Sequence, residues 1–164
     1  MKLSHRSTIL FSGFLYLAIG TLLLTKGINY LVEAGHAHMN GALRGFSLLK
    51  YLDTYTHNGE KSQFILVTSA LILGVFKGRV ALRKAANRVV GRIRSLPSPI
   101  PFSAIYSKGY LFLVGGMALL GISFKYLPFP LDVKGFVDLT VGVALINGAM
   151  LYFRESFRAS HTVA

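Results

Sequence analysis

The sequence predicts an all-α protein, a polytopic four-transmembrane-helix bundle built from two parallel repeats of a helical hairpin, with a basic amphipathic helix on the cytoplasmic side. Three observations predict it: an excess of apolar residues, four long runs nearly free of charge, and a self-similarity at constant offset between the first run and the third. The 164 residues are 52% hydrophobic and 15% charged, with no Cys and no Trp, and the mean hydropathy is +0.52. A soluble domain is ordinarily about a quarter charged. So apolar a chain uses lipid as part of its solvent, and disorder is excluded.

The first run, Ile9 to Val32, is interrupted only by Lys26, and its length exceeds the roughly 20 residues that a bilayer core requires. Its Val32-Glu33-Ala34 loosely resembles a cleavage site, but the run is well beyond the roughly 7–15 residues of a signal peptide's apolar region, so it reads as a span. The second run, Phe64 to Phe76, is short alone; a helix over about 61–82 crosses if Lys61, Lys77 and Arg79 snorkel to the interfaces. A third span covers about Ile105–Leu127 and a fourth Gly135–Phe153, stopped by Arg154-Glu155.

Eighteen Lys and Arg against six Asp and Glu give a formal charge of +12. In a soluble protein that balance would suggest nucleic acid. Here its distribution suggests topology instead. With both termini on one side, that side collects Lys2, Arg6, Lys77, Arg79, Arg83, Lys84, Arg88, Arg92, Arg94, Lys108, Arg154 and Arg158 against Glu155 alone. The other side carries Arg44, Lys50, Lys61, Lys125 and Lys134 against Glu33, Asp53, Glu60 and Asp132. Lys and Arg near span ends favour the cytoplasm, so both termini are expected inside, in what reads as a bacterial plasma membrane, and no nucleic-acid partner is expected.

Residues 13–31 laid over 109–127 match at Gly13/Gly109, Leu15/Leu111, Leu17/Leu113, Gly20/Gly116, Leu23/Leu119, Leu24/Leu120, Tyr30/Tyr126 and Leu31/Leu127. The second and fourth spans agree more weakly, Ala70–Gly74 with Ala144–Gly148. The chain therefore divides into repeat 1, about 7–96, and repeat 2, about 102–158, in one transmembrane domain. Gly13, Gly20 and Gly27 recur every seven residues, as do Gly109, Gly116 and Ser123; Ala70, Gly74 and Gly78 recur every four, as do Ala144 and Gly148. Such small residues are expected to pack helices rather than line a pore.

From Lys77 to Leu96 the chain holds seven cations and no acid, with Leu82, Ala86, Val89, Ile93 and Leu96 at helical spacing. This predicts a helix lying on the anionic inner leaflet, with Arg83, Lys84, Arg88, Arg92 and Arg94 on the lipid headgroups. Pro97, Pro99 and Pro101 end it. The long outer loop, 33–62, carries His36 and His38 between Gly35 and Gly41, and its Leu43, Phe46, Leu49 and Leu52 predict a short helix resting on the outer surface or capping the bundle. The two histidines, with His57, Asp53 or Glu60, are weak candidates for Zn or Cu; nothing fixes a third ligand, so no metal is assigned.

Within the spans the single acid is Asp138, and Lys26 is the cation at similar depth, so the two form a candidate intramembrane pair. Asn147 adds a polar group deeper in the fourth span. There is no in-span His for haem, no Ser/His/Asp order, phosphate loop or paired carboxylate, so neither an enzyme nor a cofactor is expected. The favoured expectation is a small transporter or channel component of unassigned substrate; the alternative is a non-catalytic subunit or scaffold of a larger membrane complex. The expected partners are the bilayer, anionic inner-leaflet lipids, and further copies or membrane subunits.

Overall fold

The computed structural model describes residues 5–42, 45–95 and 128–160, together with Gly115, Gly116, Leu119, Ser123 and Tyr126. It is helical, with no strand among the described residues. The elements are α1 (His5–Met39), α2 (Leu48–Thr56), α3 (Gly59–Lys77), a π-helical turn (Gly78–Leu82), α4 (Arg83–Ser95) and α5 (Leu131–Ser160). Among the described residues, three helical stretches are long and apolar enough to cross a membrane: Ser7–Met39, Gly59–Val80 and Leu131–Phe157. The second, 22 residues long, extends about 33 Å where a bilayer core is about 30 Å, and it includes Lys61, Lys77 and Arg79 near its ends. Of the expected third span, the five residues named above are helical; Gly109 and the rest of it lie outside the described residues.

Helix α5 is the axis of the bundle. It runs antiparallel to α1, with Gly13 beside Tyr152 and Phe153, Gly20 beside Gly142 and Ile146, and Gly27 beside Gly135 and Leu139. The small residues of α5 in this seam, Gly135, Gly142 and Ala149, themselves recur every seven, so two heptad stripes meet and the backbones touch. A Cβ added at Gly142 would stand 2.6 Å from Leu24 N and 2.8 Å from Gly20 O. The stripe of α1 thus faces α5. An added Cβ at Gly116, aligned with Gly20 in the sequence, meets nothing within 4 Å among the described residues.

Helix α3 lies on a second face of α5, in the same direction: Gly74 against Thr140 and Val143, Gly78 against Ala144 and Asn147. Gly148 instead meets Leu82 and Tyr16, where α1, α5 and the π turn converge. Ala70, Gly74, Gly78, Leu82, Ala86 and Val90 are all buried, a strict four-residue stripe running from α3 into α4. At 3.6 residues per turn such a stripe drifts about 40° per step. The wider π turn takes back part of that drift and keeps the stripe on α5.

This corrects one expectation. α4 does continue from the second span, but its apolar face is not laid on lipid: Leu82, Ala86 and Val90 join Ile9, Tyr16, Leu23, Leu145, Ala149 and Tyr152 in one core cluster. Val90 is buried and keeps the spacing of four, while the side chain of the expected Val89 lies outside those described. A second cluster at the other end of the bundle gathers Leu31, Ala34, Leu49, Leu66, Ala70, Leu139 and Val143.

The expected loop after Val32 is also different. α1 carries on through Gly35-His36-Ala37-His38, because Gly35 packs against the Gln63 side chain of α3 and Gln63 Nε2 donates to Leu31 O at 3.4 Å. The helix stops at Gly41, whose φ of +66° suits a residue without Cβ. Gly41 N donates to His38 O and Ala42 N to Ala37 O, the paired bonds of a glycine helix stop. α2 then caps the bundle through buried Leu49, while Phe46 before it is 69% exposed; Leu43 lies outside the described residues.

Candidate functional site

The two ends of the bundle differ in chemistry. At the capped end, Ser47 is the N-cap of α2: its Oγ accepts from Lys50 N at 3.2 Å and donates to Asp132 Oδ2 at 2.8 Å. The same carboxylate oxygen accepts from Leu49 N at 3.0 Å. Asp132, fully buried at the start of α5, therefore ties the first turn of α2 to the long helix, satisfying N–H groups that a helix leaves open. His38 Nε2 lies 3.4 Å from Asp53 Oδ2, joining the last turn of α1 to α2. Asn58 caps α3 by accepting from Glu60 N and Lys61 N.

His36 is exposed on that last turn, and His57 ends α2 with φ +50°. Among the described residues no group of three His, Cys, Asp or Glu converges to hold a metal ion. The carboxylate nearest His38 makes a clasp between helices. The Ser47–Asp132 clasp was not read from the sequence: the spacing of Leu43, Phe46, Leu49 and Leu52 put Ser47 inside the expected helix rather than at its cap, and its partner lies 85 residues away.

At membrane depth, Asp138 is 2% exposed and its Oδ2 has no hydrogen-bond partner among the described residues. Lys26 acts on it electrostatically, and the Lys26 ammonium lies 5.9 Å from the Tyr30 ring centroid. Several other polar groups in these helices are served locally: Thr21 and Thr25, exposed on α1, donate to Leu17 O and Thr21 O, Thr140 to Phe136 O, and Asn147 Nδ2 to Val143 O, whereas the buried hydroxyls of Thr8 and Ser156 have no hydrogen-bond partner among the described residues. Each of the locally served groups bonds without water.

The opposite, basic end carries the site with most chemical content. A cavity of about 570 Å³ opens between the π turn, α4 and α5, lined by Arg79, Arg83, Asn87, Asn147, Met150, Leu151, Arg154 and Glu155. Arg79, Arg83 and Asn87 are spaced by four on one wall, and Asn147, Leu151 and Glu155 by four on the other, so each wall is one face of a helix. Three guanidiniums oppose one carboxylate there, which favours an anion. Of the cations expected to meet lipid, Arg83 enters this groove. Lys84 and Arg88 are exposed on α4 outside it; the side chains of Arg92 and Arg94 lie outside those described. Sequence reasoning placed Arg79 and Arg154 at span ends but did not join them, since only the parallel packing of α3 on α5 brings those ends together.

No protein-family profile, curated protein or solved structure matches this chain.

Proposed function

We propose that this is a small multi-pass integral membrane protein with both termini in the cytoplasm, acting as a non-catalytic subunit or scaffold of a membrane complex. The observation that carries the reading is the α1/α5 seam. Gly13, Gly20 and Gly27 hold α1 against α5 over about 21 Å of helix, roughly two thirds of a bilayer core, at backbone contact near Gly142 and Gly135. A seam closed that tightly suits a rigid body that presents its surface; it leaves no room for a solute between those helices. Three apolar helices among the described residues, the exposed Thr21 and Thr25 hydroxyls that bond to their own helix, and the concentration of Arg at one end support the membrane placement.

The fourth span and the two-hairpin repeat belong to the same proposal. They are supported by the shared direction of α3 and α5, which tandem repeats of a hairpin require, and by the helical Gly116, Leu119 and Tyr126 in the expected third span. Purification from membranes in mild detergent, followed by reconstitution alone into liposomes, tests the function. A scaffold emerges with a stoichiometric protein partner and shows no solute flux; saturable flux by the isolated chain overturns it.

A transporter or channel component is the second reading, favoured by Asp138, a carboxylate buried at membrane depth with Lys26 nearby. Such groups mark ion and proton paths in membrane proteins. Under this reading Asp138→Asn abolishes the flux that the liposome assay detects.

A further inference from the structure

The groove at the basic end has a composition that a solvated charge cluster does not require. Its lining includes an apolar patch, half-buried Leu151 with Met150 60% exposed. Its walls carry Arg79, Arg83 and Arg154, and none of the three makes a hydrogen bond or ion pair of 4 Å or less with a described residue. Asn147, which spends one amide hydrogen on Val143 O, lines the groove together with a second amide, Asn87. Glu155 offsets one of the three positive charges. Just outside, on the same helix as Arg79, Phe76 and Val80 are 65% and 53% exposed. The groove therefore begins at an apolar flank and ends among guanidiniums, the polarity of an amphiphile entered from the side.

We propose that this groove is a specific site for the phosphate head of an anionic phospholipid, held by Arg79, Arg83 and Arg154, with Asn87 and Asn147 as neutral hydrogen-bond donors and Met150 and Leu151 against its glycerol and first methylenes. Arginine forks match phosphate oxygens two at a time, and basic pockets between helices at the cytoplasmic face are where such heads bind. A free phosphate would satisfy the arginines but leave the Met150–Leu151 patch unused. The π turn has a part in this geometry: it turns Leu82 into the core while leaving Arg79 and Arg83 on the groove wall. The site differs from a diffuse basic surface because Lys84 and Arg88, equally charged and on the same helix, lie outside it. The proposal rests on the membrane reading above.

The test uses the full chain in detergent, with bound lipid counted by native mass spectrometry and stability followed by thermal unfolding, on adding phosphatidylglycerol, phosphatidylcholine or inorganic phosphate. The wild type is expected to retain one phosphatidylglycerol in preference to phosphatidylcholine. R79Q/R154Q is expected to lose roughly thirtyfold in affinity for it. K84Q/R88Q removes the same charge from outside the groove and is expected to stay within about twofold of wild type. Equal losses in the two double variants overturn the site in favour of diffuse attraction. Saturation by inorganic phosphate with no added preference for lipid overturns the amphiphile. If the chain is recovered from cells in the soluble fraction without detergent, the membrane reading itself fails; loss of lipid preference in a chain that stays in membranes overturns the groove alone. Unchanged helical circular dichroism in each variant separates binding loss from misfolding, and R154K, which keeps charge but not the fork, is expected to fall between wild type and R154Q.

Discussion

At Gly27 an added methyl group would strike the backbone nitrogen of Leu139, and at Gly142 that of Leu24. Backbone cannot yield as a side chain does, so Gly27→Ala or Gly142→Ala is expected to cost about 1–3 kcal/mol through forced separation of α1 and α5. Gly91 is the contrast: it is exposed in α4 and an added Cβ meets nothing within 4 Å among the described residues. Gly91→Ala is expected to stabilise by about 0.5–1 kcal/mol, the helix propensity that glycine forgoes. Unfolding in detergent followed by circular dichroism checks both signs. Asp132 gives a second test. Removing its carboxylate leaves Ser47 Oγ and Leu49 N without their acceptor in a buried place, so Asp132→Ala is expected to lose about 1–3 kcal/mol. Hydrogen exchange should show α2 opening first, while the Gly27–Gly135 seam stays protected.

At the scale of elements, the junction between α3 and α4 is the most informative. Continuous burial from Ala70 to Val90 at a spacing of four depends on the π turn at Gly78–Leu82. Inserting one alanine between Arg83 and Lys84, in regular α-helix just past the turn, should rotate everything after it by about 100°. Ala86 and Val90 would then leave the core. Because the chain has no cysteine, Val90→Cys reports this directly: a thiol reagent should label it slowly in the full chain and rapidly in the insertion variant. Equal protection in both would show that α4 is not held in register against α5. That α4 exists, and that it is amphipathic, was legible from Lys77–Leu96; that its apolar face turns inward was not. An apolar stripe satisfies lipid and protein equally, and only the position of Gly148 and Tyr152 beside Leu82 and Ala86 decides between them.

For the whole molecule, the uneven distribution of cations makes orientation testable. An epitope inserted between Gly41 and Gly45, both at positive φ in a segment with open space around it, is expected outside the cell, and tags at either end inside. Protease access to that epitope only from the cytoplasmic face would reverse the orientation. The Lys26 and Asp138 pair is also a property of the assembled bundle, since the two residues come from helices at opposite ends of the chain. Lys26→Met and Asp138→Asn should each destabilise, and the double variant should recover part of the loss, with a coupling of about 0.5 kcal/mol or more. Strictly additive effects would mean that the two charges solvate independently at the interface.

What the sequence by itself determined is whatever depends on composition along one segment: the apolar lengths that suit a membrane, the helical periodicity, the small residues at spacings of four and seven, and the charge asymmetry between connecting segments. These are local quantities, and a single strand of text carries them completely. Which stripe meets which was decided by the tertiary structure. Gly13, Gly20 and Gly27 were legible as a packing face, but their partners Gly135 and Gly142 were not, because complementary spacing on two helices is a relation between segments more than 90 residues apart. The groove of Arg79, Arg83 and Arg154 and the clasp of Ser47 on Asp132 have the same cause. Each joins side chains that are unremarkable in their own segments, and each exists because α5 is close-packed on two faces at once, bringing the ends of its neighbours within reach.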